Sequence, residues 1–373
     1  MINRYPVSAA IALAIALMLM LSSGLSAQPG CYNLQRINGS DRYGFSINNS
    51  GIVVGTENHF INSFSRQSLM WVQGVEIPIG GAFGGLNNSA VSVNDVGDVV
   101  GNLEIDPYRQ AYTTYVYRHG EVSIIELPPS MLSIFPAAVR GDGIVLATVI
   151  NSAGKYLPVM VKQVGSSQFS FHVINPATSA STENPDLGYL AADFNARLIT
   201  LTEFSLEGAH LTAFRAAITK IEDKAHTIFR LPLADGYTAS VAWAIDSKNS
   251  VVGEVFPDWY SYYRPALWKD NRLIDLAQGN SDWMGSATDI NDHEQVVGKL
   301  WNRFNSEDSS WAFIYEGGEL RNLNELLCHP LPAWDSLASA RAINDRGQIV
   351  VAIRTNYGEG DSTYSVGVLT PRA

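Results

Sequence analysis

One short pattern of apolar and polar residues returns seven times along the chain. In the copy at 45–55, alternating apolar residues lead to an Asn, then to a polar stretch with a Gly, and then to Val-Val-Gly. The apolar residues before that Asn position serve as markers: Ile47, Val93, Val139, Phe194, Ile245, Ile290 and Ile343. The markers are 46, 46, 55, 51, 45 and 53 residues apart. A strand-like pattern with a period near 50 residues predicts the blades of a β-propeller.

Each copy predicts two short strands joined by a tight turn. The Asn or Asp after the first strand can accept hydrogen bonds from the backbone that follows it, and a residue with positive φ then closes the hairpin. That later position is filled by Gly51, Gly97, Gly143, Leu198, Asn249, Glu294 and Gly347. Leu198 and Glu294 predict a different turn or local strain, because residues with a β-carbon rarely adopt positive φ. Turn chemistry also accounts for four Asn residues that would otherwise be candidate ligand or metal residues: Asn48, Asn94, Asn291 and Asn344.

Two further apolar segments follow each hairpin and predict a third and a fourth strand. In the first copy these segments are 69–72 and 76–79. Four strands per period without helical periodicity predict an all-β fold, a seven-bladed β-propeller with four-stranded blades. The seventh copy stops after a third strand at 364–369, whereas residues 32–37 precede the first copy and have the pattern of a fourth strand. We therefore expect the N-terminal strand to close the last blade, which removes open sheet edges.

The chain contains two cysteines, Cys31 and Cys328. Cys31 begins the closing strand, and Cys328 follows the fourth strand of the sixth blade, so the fold places them on neighbouring blades. We predict a disulfide between them that pins the closure. Neighbouring blades alone do not ensure the Cα separation of about 6 Å that a disulfide needs.

The N-terminus has the pattern of an export signal. A basic start at 1–4 is followed by an apolar run at 7–21 and by small residues at 22–27, which predicts a signal peptide over 1–27 and one propeller over 28–373. A membrane anchor is the alternative, but the run is shorter than the roughly 20 residues that span a bilayer. A lipid attached at Cys31 is less favoured, because Gln28, Pro29 and Gly30 precede it. We expect a secreted or periplasmic protein with no membrane insertion after cleavage.

Composition and charge narrow the function. Of the 373 residues, 46% are apolar and 16% are charged, the latter well below the roughly 25% of average domains, so the chain is not a disordered one. The chain has 25 basic and 36 acidic residues. Arg4 is the only charged residue of 1–27, so the formal net charge of 28–373 is 24 minus 36, or -12. A polyanion would be repelled, and we expect no nucleic-acid partner.

The repeated phrase resembles a known bacterial family. Its pattern of Ala, Ile-Asn, Gly and Val-Val-Gly, followed by an apolar aromatic strand, is similar to the extracellular repeats of the HAF family, most closely at 323–327, Trp334, 339–350 and 369–371. The resemblance covers most of 31–373 and implies an exported repeat protein without a catalytic signature. The sequence departs from the family pattern at Arg140, Leu198 and Thr202, so the assignment of blades 3 and 4 rests on the weakest copies of the repeat.

Aromatic residues concentrate in the loops between second and third strands. These loops share one end of the propeller with the connections into the next blade, and we call this end the loop face. Its densest segment is 256–264. Aromatic rings with polar tips on a rigid scaffold are typical of recognition surfaces, although they could also cover the blade ends. The candidate ligand-binding residues are Tyr108, Trp259, Tyr260, Tyr262, Tyr263, Trp301, Phe304 and Tyr357.

Carboxylates on the same face leave a catalytic alternative open. A glycosidase needs two carboxyl groups about 5 to 9 Å apart. The candidates for such a pair are Asp106, Glu203, Glu254 and Asp258. The sequence contains no Gly-x-Ser-x-Gly, His-Glu-x-x-His, Cys-x-x-Cys, phosphate-binding glycine loop or calcium loop, so we expect no cofactor and no metal.

The sequence thus favours an exported, non-catalytic and monomeric binding module that recognises a saccharide or protein ligand through its aromatic loop face. The alternative is a propeller glycoside hydrolase or lyase that uses carboxylates on that face.

Overall fold

The fold is a ring of seven four-stranded antiparallel sheets. The computed structural model describes residues 30–37, 39, 41–59, 65–108, 111–165, 168–174, 187–207, 210–221, 227–257, 262–278, 280–305, 309–358 and 361–372. The predicted signal peptide lies outside these residues. No helix in the described part of the chain is long and apolar enough to cross a membrane.

In blades 1 to 6 the strands follow one another in chain order from the axis outward, and in blade 7 the outermost strand is β1. The first strand of the chain is β1 (Tyr32–Ile37). Blade 1 contains β2 (Arg42–Ile47), β3 (Val53–His59), β4 (Ser65–Val72) and β5 (Val75–Pro78). Blade 2 contains β6 (Asn88–Val93), β7 (Val99–Asp106), β8 (Ala111–Arg118) and β9 (Glu121–Ile124). Blade 3 contains β10 (Met131–Val139), β11 (Val145–Asn151), β12 (Tyr156–Gln163) and β13 (Phe169–Val173).

The later blades repeat this order. Blade 4 contains β14 (Leu187–Phe194), β15 (Leu198–Glu207), β16 (His210–Lys220) and β17 (Ile228–Arg230). Blade 5 contains β18 (Ala239–Ile245), β19 (Val251–Phe256), β20 (Arg264–Lys269) and β21 (Arg272–Asp275). Blade 6 contains β22 (Trp283–Ile290), β23 (Val296–Asn302), β24 (Trp311–Glu316) and β25 (Glu319–Asn322). Blade 7 contains β26 (Asp335–Ile343), β27 (Ile349–Gly358), β28 (Asp361–Pro371) and β1. Two short 3-10 turns occupy Gly80–Phe83 and Leu323–Leu326.

The seven-bladed fold predicted from the repeats is confirmed. The predicted closing strand at 32–37 is β1, which pairs with β28 from Tyr32 opposite Pro371 to Ile37 opposite Val366. Blades 3 and 4, whose copies of the repeat are the most degenerate, have four paired strands like the others. The core lies between the blades, where the faces of adjacent sheets bury apolar side chains such as Val116 of blade 2 and Val159 of blade 3.

The predicted disulfide is also confirmed. Cys31 and Cys328 are bonded, with 4.8 Å between their Cα atoms. The Cys328 backbone N–H donates to the Tyr32 carbonyl oxygen at 2.9 Å, which ties the closing strand to the segment after blade 6. Blade 7 is therefore fastened by backbone pairing and by a covalent bond.

The two hairpin turns with an unusual residue at the positive-φ position, Leu198 and Glu294, differ from each other: one has local strain and the other has a different turn. Glu294 adopts φ of 63°, the strained conformation. Leu198 avoids it through a shorter turn, in which the Asn195 N–H donates to the Leu198 carbonyl at 3.1 Å. In the regular turns the Asn side-chain oxygen accepts two backbone N–H groups, as Asn48 does from Ser50 at 3.0 Å and from Ile52 at 2.8 Å.

The turn Asn residues also link the blades into what we call the amide ring. Each Asn Nδ2 donates to the carbonyl of the corresponding turn residue in the next blade, at 2.8 to 2.9 Å. The donor and acceptor pairs are Asn48 and Asn94, Asn94 and Arg140, Asn195 and Asp246, Asn291 and Asn344, and Asn344 and Asn48. These bonds hold the end of the propeller opposite the loop face.

Candidate functional site

A cavity of about 730 Å³ opens at the loop-face end of the axis. We call it the axial cavity. Part of its wall comes from strand ends at the loop face, such as Arg66 at the start of β4 and Glu104 near the end of β7. The rest comes from the innermost strands of blades 1 to 5, which meet at the axis. Its volume lies within the roughly 300 to 1,000 Å³ of small-molecule sites.

A bulge in each innermost strand supplies a residue to the axis. In each blade the pairing between the first two strands skips the residue two positions before the marker, as at Phe45 between the pairs formed by Gly44 and Ser46. The residues skipped two positions before the markers are Phe45, Val91, Ala137, Ala192, Trp243, Thr288 and Arg341. The first five of these line the cavity. A bulge re-aims a side chain and is common beside functional sites.

The sizes of these bulged side chains give the cavity its shape. Val91, Ala137 and Ala192 are small and leave space over blades 2, 3 and 4. Phe45 and Trp243 bound that space and remain 39% and 46% exposed, respectively. Both rings therefore turn part of their apolar surface toward the cavity rather than into the core.

Trp243 is held in place by one of the predicted carboxylates. Its indole N–H donates to Glu254 Oε1 at 3.1 Å. Glu254 lies on β19, next to the strand that bears Trp243, so the bond fixes the ring across the sheet. Glu254 therefore affects the axial cavity indirectly, because it fixes the orientation of the Trp243 ring that lines it.

The outer wall joins an aromatic pair to a polar cluster. The rings of Tyr112 and Phe135 pack with centroids 5.3 Å apart. Glu104 accepts hydrogen bonds from Asn87 Nδ2 at 2.7 Å and from the Tyr112 hydroxyl at 3.5 Å. Nearby, the Oδ1 atom of Asn102 is buried and has no hydrogen-bond partner in the described part of the chain. An acceptor left unsatisfied costs about 1 to 3 kcal/mol, which a ligand donor could recover.

The other predicted carboxylates have different surroundings. Asp106 accepts the Tyr108 backbone N–H at 3.0 Å and so shapes its own turn. Glu203 is 4% exposed and accepts from Arg230 Nε at 2.8 Å and from the Tyr189 hydroxyl at 3.2 Å. Burial, followed by the Glu203 charge, raises the pKa of Tyr189 well above its ordinary value. Asp258 lies outside the described residues. Among the described members of this set, Glu254 hydrogen-bonds to a residue that lines the cavity, Trp243.

The predicted aromatic residues form a second group between blades 5 and 6. Tyr263 packs edge-on against Trp301 at 5.1 Å, and Trp301 is only 4% exposed, so these rings pack against each other. The Arg303 guanidinium lies over the rings of Tyr262 at 5.4 Å and Phe304 at 4.7 Å, both of which are exposed. Tyr108 and Tyr357 are exposed on other blades, and Trp259 and Tyr260 lie outside the described residues.

Sequence reasoning did not single out Phe45, Trp243 or Glu104 as site residues. Phe45 and Trp243 occur inside the repeated phrase, two residues before its marker, where they read as ordinary strand residues. The signal was available in the variation at that position, which holds Phe, Val, Ala, Ala, Trp, Thr and Arg in the seven copies. A repeat position that varies widely while its neighbours stay alike is a candidate for function.

Two enclosed carboxylates, Asp193 and Asp289, were also missed. Each lies one residue before a marker, and its carboxyl group accepts two backbone N–H groups. Asp193 accepts from Phe194 at 2.8 Å and from Ile245 at 3.1 Å. Asp289 accepts from Ile290 at 2.9 Å and from Ile343 at 2.8 Å. Burial raises the pKa of Asp193 to about 6 and that of Asp289 to about 7, although the backbone bonds oppose the shift. In each carboxyl, Oδ2 accepts from the next blade, whereas Oδ1 accepts from the following residue of its own strand. The described residues hold no group of three metal-ligating side chains.

Comparison with known proteins shows the fold. No protein-family model matches the sequence, and no curated protein matches it. The β-propeller domain of the trilobed protease from Pyrococcus furiosus is similar in structure, with a TM-score of 0.51, 10% sequence identity, and coverage of 87% of this chain and 97% of that one. A structure from a study of two prolyl endopeptidases is similar with a TM-score of 0.55, 11% identity and coverage of 92% of this chain, which spans about half (51%) of that protein. At such low identity these likenesses concern architecture alone: the chain is a seven-bladed β-propeller.

Proposed function

We propose that this protein is an exported, non-catalytic recognition module that binds a saccharide or protein ligand at its loop face, with part of the ligand in the axial cavity. The observation that carries the proposal is the cavity between Phe45 and Trp243, whose aromatic faces are exposed. Small apolar side chains, Val91, Ala137 and Ala192, leave the space between them, and polar side chains such as Glu104 line the wall toward the loop face. In keeping with the repeat pattern, we also propose that the chain is a member of the HAF family.

A saccharide is the leading ligand class. Sugar rings present apolar C–H faces that stack on aromatic side chains, and their hydroxyl groups need donors and acceptors at the edges of the site. The cavity offers both, since Phe45 and Trp243 supply ring faces while Glu104 supplies an acceptor. An extended peptide could use the same surfaces, and it remains the second ligand class.

A propeller hydrolase or lyase is the alternative function. Glu104 lies in the cavity wall beside Tyr112, and this pair is the observation that favours catalysis. Glu104 is also the only carboxylate among the described residues that line the cavity, whereas a glycosidase needs two about 5 to 9 Å apart. The cavity lining therefore supports binding over hydrolysis.

The test is a glycan and peptidoglycan array probed with the purified mature chain, with each bound species followed by mass spectrometry. Binding without product supports the recognition module. If the bound glycans become shorter with time, and if the Glu104→Gln variant forms no such products, the protein is a hydrolase or lyase and the proposal of a non-catalytic module is wrong. An array without any bound species would overturn the saccharide version and direct the search to protein ligands.

A second test addresses the predicted loop residues. Replacing Trp259 together with Tyr260 by Ala should weaken binding of the array ligand at least tenfold if the loop at 256–264 contributes to the ligand contact. The same double substitution should leave the thermal midpoint unchanged. Unchanged affinity would remove this loop from the site.

A further inference from the structure

A second aromatic recess lies at the loop-face end of blade 6. Trp283 begins β22 and Trp311 begins β24, so both lie at the loop-face end of the blade. Their rings meet edge to face, with centroids 5.2 Å apart and planes at 88°. Leu320, Arg321 and Asn322 of the outermost strand complete one wall, with Glu325 beyond them. We call this recess the tryptophan groove; it encloses about 420 Å³ and shares no lining residue with the axial cavity.

Several polar groups of the tryptophan groove lack a hydrogen-bond partner in the described part of the chain. Neither the Trp283 nor the Trp311 indole N–H has a hydrogen-bond partner in the described part of the chain, and neither is buried. Arg321 donates from Nη2 to Glu316 at 2.9 Å, whereas its Nε is buried without a partner. Glu325 is exposed at the rim. The groove thus combines two half-buried ring systems with free donors and a free acceptor.

We propose that the tryptophan groove is a second saccharide subsite that holds one pyranose ring of a neutral glycan. This inference rests on the saccharide version of the proposed function, but not on the axial cavity. One indole face would stack on the C–H face of the sugar, while the indole N–H groups and Glu325 bond to its hydroxyls.

Size and charge select the ligand. A groove of about 420 Å³ is large enough for one or two sugar rings and too small for a folded partner. Arg321 is paired with Glu316, so the unpaired charge at the rim is the Glu325 carboxylate. A uronic acid or a sulfated sugar would be repelled there, whereas an uncharged pyranose would not.

The occupant is testable through the indole N–H signals of the full mature chain in NMR. The sequence has eight Trp residues, and the single variants Trp283→Phe, Trp311→Phe and Trp243→Phe assign three of the signals. The probes are chitotetraose, cellotetraose and laminaritetraose. We expect at least one of these probes to shift the signals of Trp283 and Trp311 together.

Affinity measurements provide the second readout. Glu325→Gln keeps the side-chain volume and should weaken the probe at least threefold, and Trp311→Ala should weaken it at least tenfold. Trp334→Phe is the matched control, because Trp334 is 60% exposed and does not line the groove, and its affinity should equal that of the wild type.

The possible outcomes separate the two proposed sites. Shifts of Trp283 and Trp311 without Trp243 support the groove and count against the axial cavity. Shifts of Trp243 alone support the axial cavity and overturn the groove. No shift with any probe overturns the groove as a subsite for neutral glycans, whereas the saccharide version of the function is decided by the glycan and peptidoglycan array. Shifts of Trp283 and Trp311 produced only by a peptide would overturn the saccharide assignment of the groove.

Discussion

At the scale of single residues, one aspartate interrupts the amide ring. Asp246 takes the turn position held by Asn in five other blades, and like them it accepts backbone N–H groups, from Lys248 at 3.0 Å and from Ser250 at 2.7 Å. A carboxylate cannot donate to the next blade as an amide does. Its Oδ2 is buried without a hydrogen-bond partner, and burial raises the pKa of Asp246.

Asp246→Asn should therefore stabilise the protein. The new amide can donate to the Asn291 carbonyl, as Asn195 Nδ2 already does to the Asp246 carbonyl at 2.9 Å. We expect a gain of about 1 kcal/mol in the free energy of unfolding at pH 7, the value of a typical added hydrogen bond. Chemical denaturation measures it. The reverse change, Asn291→Asp, should destabilise the protein, and a variant Asp246→Asn that unfolds earlier than the wild type would contradict the account.

The enclosed carboxylates predict a pH dependence. The pKa values of Asp193 and Asp289 are raised above their ordinary value, so the folded protein holds these protons more tightly than the unfolded chain does. Their contribution to stability is complete below about pH 4 and is lost as the pH rises through about 6 and about 7. Thermal midpoints measured from pH 4 to 8 should fall with rising pH for this reason. In the double variant Asp193→Asn and Asp289→Asn that fall should be smaller, and an unchanged slope would count against the shifts.

The sequence could predict the turn role of the Asn residues but not the links between blades. Local turn chemistry follows from the order Asn, polar, Gly. Whether Asn48 Nδ2 reaches the Asn94 carbonyl depends on how two blades lie beside each other, and sequence spacing does not reveal that. For the same reason Asp193 and Asp289 read as ordinary polar strand residues, although both bond to a neighbouring blade.

At the scale of elements, the bulge in the innermost strand explains the repeated Gly after Val-Val. A β-carbon on Gly253 would overlap the Val241 carbonyl oxygen of the neighbouring strand, and one on Gly298 would overlap that of Ser286. The close approach occurs beside the bulge, so the glycine allows the two strands to come together where the bulged residue is skipped. The same bulges direct the side chains of Phe45 and Trp243 toward the axial cavity.

Gly253→Ala should therefore be costly. Relief of the overlap requires a shift of the β18 backbone, and we expect a loss of about 1 to 3 kcal/mol in the free energy of unfolding, as for other overpacked sites. Gly141→Ala is the matched control, since its β-carbon would meet nothing within 4 Å. Equal stability of the two variants, measured by chemical denaturation, would show that the close approach is unimportant.

At the scale of the whole molecule, ring closure was predictable because the strand count was uneven at the two ends of the chain. Residues 32–37 had the pattern of a missing fourth strand, and β1 fills that place. The site was less predictable. The loop face could be inferred from its aromatic residues, but the axial cavity depends on small residues, Ala137 and Ala192, that carry no chemical signal of their own.

The disulfide should contribute much of the stability of the closure. It joins residues 297 positions apart, and the chain-entropy relation gives about 5 kcal/mol for so long a loop, an upper value since measured effects are often smaller. The double variant Cys31→Ala and Cys328→Ala should lose several kcal/mol of stability in chemical denaturation. The reduced wild type should match it, and a loss below about 1 kcal/mol would mean that strand pairing alone closes the ring.

The central claim, that the axial cavity receives the ligand, is tested most directly by filling it. Ala192→Phe places a ring into the cavity from the bulge of blade 4, and Val96→Phe adds the same ring on an exposed turn at the opposite end as the control. The measurement is the affinity of each variant, by titration calorimetry, for the strongest ligand from the glycan array. The account predicts that Ala192→Phe binds at least tenfold more weakly than the wild type while Val96→Phe is unchanged. Full affinity in a folded Ala192→Phe protein would contradict it.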